Sequence, residues 1–142
     1  MLLSDLPSVA LHELAGDYVI ARLPATAAVP AELLAASPSH GYVSVTRTPQ
    51  ELSVVCAADL APDDAEIDGM WRALYASGPI PFGLTGVVTS LVAPLSVAGC
   101  PVFVTSTFDG DILMVPSDRY GRARELLTSA GHTLAPEMSG DE

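Results

Sequence analysis

The chain contains no lysine. Its 6 basic residues are all arginines, set against 17 acidic ones, and the formal net charge is −11. A surface so poor in cations repels phosphate backbones and anionic headgroups, which argues against nucleic-acid and membrane-surface roles. Cysteine is nearly absent as well, with only Cys56 and Cys100, each in or beside a predicted strand. The start, Met1-Leu2-Leu3-Ser4-Asp5, has no basic segment before its apolar residues, so no signal peptide is evident. A cytoplasmic chain with reduced, buried thiols is expected, although sequence separation alone leaves a disulfide open. A nucleophile elbow, a phosphate-binding glycine loop and a dinucleotide fingerprint are all missing. His12, His40 and His132 stand apart from any Cys or Glu at metal-ligand spacing. Asp64 to Gly69 alternates acids like a calcium loop, but Tyr75 occupies the place of the bidentate Glu and a strand follows. No catalytic residue, metal or cofactor is therefore expected. Trp71, the single tryptophan, is expected in a core or interface.

Charge of either sign is also lacking from Ala73 to Phe108, a run of 36 residues. A run of this length must be weighed as a membrane span. Gly83, Gly86, Pro94, Gly99 and Pro101 interrupt it, five Ser or Thr lie between Thr85 and Thr107, and no flanking Lys or Arg anchors it. A buried helix and strand account for it better. Leu84, Val87, Val88, Leu91, Val92 and Leu95 form one apolar stripe at helical spacing, with Gly99 at the exit. Two apolar runs, 102–107 and 112–115, flank Phe108-Asp109-Gly110-Asp111, a hairpin cue.

Half of the residues are apolar, and the length suits one domain or two small modules sharing a core. The rest of the chain supplies strands at 17–23, 42–48, 51–57 and 70–77, a short helix at 31–36, and an acidic connection at 59–69. Ser117 is placed to cap a last helix ending at Gly131, and 132–134 to close the sheet. Arg119, Arg122 and Arg124 spread around that helix as a solubilising face.

The halves repeat. Residues 41–59 laid on 100–118 match Val43 with Val102, Val45 with Val104, Thr46 with Thr105, Thr48 with Thr107 and Asp59 with Asp118. A duplicated βαββ unit closed by a helix and strand gives the ferredoxin-like βαββαβ arrangement. The connection at 59–69 is too short and acidic for a second helix in the first half. Strand 70–77 must then close the first module and open the second.

Ser106-Thr107-Phe108-Asp109-Gly110-Asp111-Ile112-Leu113-Met114-Val115 resembles the Ser-Thr-aromatic-x-x-Asp-x-Ile-Leu-Val signature of small bacterial ACT-domain proteins. These are similar to the ACT modules of eukaryotic cytosolic arginine sensors. Thr48 to Cys56 resembles that branch's Thr-x-x-Glu-Leu-Ser-Ile-Val-Cys segment, and Ala93-Pro94-Leu95 its mid-helix proline. The resemblance implies an α+β fold of two tandem ACT modules with antiparallel sheets. The first would span 14–70 and lack its second helix, the second would span 71–135, and 136–142 would be an acidic disordered tail.

It also implies a non-enzymatic, allosteric sensor that binds a small amino acid or related metabolite at a module interface. Family contacts carry over by position to Phe82, Gly83, Leu84 and Thr85 before the helix, Pro101 and Val102 after it, and Thr107, Phe108 and Asp111. Backbone N–H groups at the glycine-marked helix start would take a carboxylate, and Asp111 an ammonium. Arginine-binding relatives have an acidic residue where this chain has Leu84, so arginine itself is not implied. An exposed sheet edge and a small-residue helix face (Gly86, Thr89, Ser90, Ala93) point to a homodimer, with an effector protein as a further partner. Two alternatives remain. One is a ligand-free interaction module docking a partner chain. The other is an enzyme using Ser106, Asp109 and Asp111, which has no base paired to Ser106 in sequence.

Overall fold

The computed structural model describes residues 6–35, 41–76 and 85–135. In chain order the elements are β1 (Ala10–Leu23), α1 (Ala31–Leu34), β2 (Ser44–Arg47), β3 (Leu52–Ala57), β4 (Glu66–Ala76), α2 (Val87–Val97), β5 (Phe103–Ser106), β6 (Asp111–Pro116), α3 (Tyr120–Ser129) and β7 (Thr133–Ala135). They fall into two compact units, residues 15–71 and residues 6–14 with 72–135. Strands β1 and β4 contribute a segment to each.

In the unit of residues 15–71 the strands lie in the order β2-β3-β1-β4. β3 pairs antiparallel with β2 and with β1, from Tyr18↔Ala57 to Leu23↔Leu52. Thr48 closes the β2–β3 hairpin: its hydroxyl oxygen accepts from the N–H groups of Gln50 and Glu51, each at 3.1 Å, in place of backbone acceptors. Alternation along the strands sends Val19, Ala21, Leu52, Val54 and Cys56 to one face, against Leu33 of α1. Between β3 and β4 there is a single 3₁₀ turn, Ala58–Leu60, where a second helix would otherwise stand. β4 begins at Glu66, so the acidic connection is shorter than the sequence predicts.

In the other unit the order is β1-β4-β6-β5, with β7 beside β1. β5 and β6 form the predicted hairpin, Phe103↔Met114 to Ser106↔Asp111. One pairing departs from the antiparallel pattern: β7 pairs with β1 in parallel, Ala10↔Thr133 to His12↔Ala135. β1 starts at Ala10 rather than at residue 17, and its first residues occupy the place beside β4 that a ferredoxin-like unit gives to its last strand. Helices α2 and α3 cover one face, burying Leu11, Leu74, Leu91, Leu95, Leu113 and Leu127 together. Each such side chain contributes about 1.5–3 kcal/mol on burial.

The inward face of α2 is Val87, Ser90, Leu91 and Leu95, whereas Val88, in the predicted stripe, is 41% exposed. Ser90 lies in the unit's own core, which removes it from the small-residue face expected to dimerise. Pro94 has no N–H to offer the Ser90 carbonyl one turn back. His132, itself buried, takes the place of that donor with Nε2 at 2.8 Å from the Ser90 oxygen, while Nδ1 accepts from the Val9 N–H at 3.2 Å. The two bonds require the neutral ring with its proton on Nε2. Ser117 does not cap the last helix as its position suggested. It opens a 3₁₀ turn, Ser117–Arg119, and α3 follows with no side-chain cap.

Candidate functional site

The β5–β6 turn is tied internally by Thr107. Its N–H and hydroxyl both donate to the Gly110 carbonyl, at 2.8 and 3.1 Å, and its hydroxyl oxygen lies 3.2 Å from the Gly110 N–H. Gly110 is needed because a Cβ there would stand 2.3 Å from the Ala76 carbonyl oxygen and 3.4 Å from the Tyr75 hydroxyl. The turn is thereby pressed against the end of β4. Immediately after it Asp111, 7% exposed, opens β6. Its Oδ1 accepts a 2.5 Å hydrogen bond from the Ser106 hydroxyl across the last rung of the hairpin. Among the described residues no cation forms an ion pair with Asp111. Asp111 is thus a buried residue whose carboxylate accepts, among the described residues, one hydrogen bond from a neutral donor, a place an ammonium group could share.

α2 begins after Gly86, which adopts φ +87, a conformation that glycine takes without strain. Gly86 has no side chain to cap this end, and among the described residues no side chain is seen to take that role, so the first N–H groups of the helix can receive an anion. Thr85, just before it, is exposed. Phe108 projects from the tip of the β5–β6 turn, 78% exposed.

The described candidates do not all gather in one place. Thr107, Phe108 and Asp111 share the hairpin end of the unit. Pro101, exposed, and Val102, packed on the helix-side core, precede the opposite end of β5. Val102 is four residues of extended chain from Ser106, about 13 Å along the strand. Phe82, Gly83 and Leu84 lie outside the described residues, as does the expected acidic tail. Two residues that the sequence did not nominate for a ligand site belong beside Asp111: Ser106, which holds it, and Tyr75, whose hydroxyl faces the turn. Ser106 falls opposite Asp111 because the turn spans Thr107 to Gly110, one residue earlier than the sequence placed it; Tyr75 arrives only by tertiary packing.

Among the described residues no group of three His, Cys, Asp or Glu side chains could hold a metal ion. Cys56 and Cys100 are both free thiols. No described helix is long and apolar enough to cross a membrane.

Such a layout, helices on one face of a largely antiparallel sheet with a polar hairpin end, defines a ferredoxin-like α+β protein. A family model of the ACT domain matches residues 66–129, and a second, described as an N-terminal domain, matches residues 16–64. A crystallised protein of Agrobacterium tumefaciens is 44% identical with a TM-score of 0.83, over 93% of this chain and 96% of that one. The regulatory subunit of aspartate kinase from Thermus thermophilus shares the fold at 12% identity and a TM-score of 0.56, over 88% of this chain and 99% of that one. A Vibrio cholerae protein described as a possible transport protein shares it at 18% identity and a TM-score of 0.68, over 91% of this chain and 92% of that one. No curated protein matches. The chain belongs to the small ACT-domain proteins.

Proposed function

We propose that this protein is a non-catalytic regulatory module, built of two ACT-like modules in tandem (14–70 and 71–135), that binds a small amino acid or a related metabolite. The observation that carries this reading is the buried Asp111 carboxylate, bonded by Ser106 and, among the described residues, by no cation. It would take the ligand's ammonium, with Thr107 and Phe108 bordering it. The uncapped start of α2 with Thr85, together with Phe82, Gly83 and Leu84 from the preceding turn, would receive the carboxylate. Pro101 and Val102 would act only through a second molecule or a longer ligand. The ACT-domain match and the likeness to an aspartate kinase regulatory subunit support a regulatory role. Free thiols fit a reducing, cytoplasmic setting. Ligand binding would act by favouring one of two assembly states, of a homodimer or of a complex with an effector protein.

The test is a thermal-melt screen against the amino acids, repeated on Asp111→Asn, which keeps the shape and an acceptor for Ser106. At a hundredfold its Kd, one specific ligand adds about 2.7 kcal/mol to the wild type. The Asn variant should melt normally and lose that shift. An unchanged shift in the variant would remove Asp111 from the site. A second reading rests on the exposure of Phe108: a ligand-free module docking a partner chain through the hairpin tip. A flat screen with every amino acid would favour it.

A further inference from the structure

Five of the six arginines end on oxygen. Arg22 reaches Glu66, Arg47 the Ala25 and Ala27 carbonyls, Arg119 the Gly99 carbonyl, Arg122 Glu125, and Arg124 Glu13. Arg72, on β4, makes no hydrogen bond and no ion pair among the described residues. Its Nε is buried without a hydrogen-bond partner, and the residue as a whole is half-buried. The guanidinium lies 4.4 Å above the centroid of the Tyr120 ring. In a chain of net charge −11, an arginine that finds no carboxylate is a departure from simple charge pairing.

The surroundings explain why Glu13, the nearby acid, does not serve it. Glu13 Oε1 already accepts from the Tyr120 hydroxyl at 2.7 Å and from Arg124 Nε at 2.9 Å. Tyr120 is thus anchored at its hydroxyl, and its ring lies beneath the Arg72 guanidinium. Two guanidinium groups against one carboxylate leave a local positive spot. A guanidinium carries paired N–H donors, the fork that carboxylate and phosphate oxygens accept in pairs.

We propose that Arg72, held over the Tyr120 ring, anchors a binding site for a small oxyanion, a carboxylate or a phosphate. The site is independent of the Asp111 reading. Arg72 and Ala76 are four strand residues apart, about 13 Å, so the two sites lie toward different ends of β4.

Titrations with inorganic phosphate and with succinate, at ionic strength held constant with sodium chloride, separate the two sources of oxyanion. The wild type should show saturable stabilisation by at least one of them. Arg72→Met should weaken it by ~10-fold or more, the effect of losing a charge-assisted hydrogen bond. Arg72→Lys should bind at an intermediate level, and Arg119→Met should bind as the wild type does. Equal response in Arg72→Met, or no saturable response to either anion, overturns the proposal. Should Arg72→Met fail to fold, the Nε–H resonance of Arg72 in the wild type serves instead; it should move with the titration, and a resonance that stays still at saturation overturns the site equally.

Discussion

Tyr120 keeps its proton well above the ordinary phenol range, chiefly through burial and then through the Glu13 carboxylate at its hydroxyl, with Arg72 and Arg124 opposing. Burial also raises the thiols of Cys56, with help from Asp59, and of Cys100, against the pull of Arg119. A group that holds its proton more tightly when folded gives stability that is complete below its unfolded pKa and is lost as pH rises beyond it. With no lysine in the chain, the alkaline limb of stability belongs to thiols and phenols. Urea unfolding should therefore show stability declining first above about pH 9, where free thiols ionise, and further above about pH 10, where tyrosine does. Tyr120→Phe should make the second decline shallower. An identical slope in that variant would exclude Tyr120 as its source.

At the scale of elements, α2 carries a proline that an isolated helix would reject at about 3 kcal/mol. The carbonyl that Pro94 leaves open is the one His132 reaches from the α3–β7 connection. The two positions should consequently be coupled. His132→Phe is expected to destabilise by about 1–3 kcal/mol, through a stranded Ser90 carbonyl and Val9 N–H. In a Pro94→Ala background, where the substituted alanine supplies the missing N–H, the same change should cost about 1 kcal/mol less. Additive effects in the double-mutant cycle would refute the link. The hairpins were legible at this scale because their signals are local: Asp-Gly between apolar runs, and Thr48 positioned to bond its own turn. The α2 stripe was legible only in part. Periodicity reports a helix face but not how much of it the sheet covers, and so Val88 is left outside. The cap at Ser117 failed because a 3₁₀ turn intervened before α3.

For the whole molecule, strand β5 ends the strand order of its unit among the described residues, an edge to which a second chain could add. On the homodimer reading, light scattering after gel filtration at micromolar concentration should give twice the chain mass. Adding the amino acid that raises the melting temperature should shift the dimer's dissociation constant. A monomer unaffected by ligand would sink that part of the proposal. The strongly acidic surface predicts that any such dimer tightens with added salt, since like-charge repulsion is screened.

The sequence by itself determined the α+β class, the α2 and α3 helices and the two hairpins. Each depends on residues a few positions apart, where periodicity and turn chemistry decide. It determined the family as well, through the run from Ser106 to Val115. Only the tertiary structure decided that the sheet strand begins at Ala10 and that residues 10–12 pair in parallel with β7. Contacts across more than a hundred residues leave no local pattern to read. The same holds for the burial of Asp111, the seating of Gly110 on Ala76, the rescue of the Ser90 carbonyl by His132, and the placing of Arg72 over Tyr120. In each, a group is defined by what folding brings beside it, and desolvation by distant chain segments sets its chemistry.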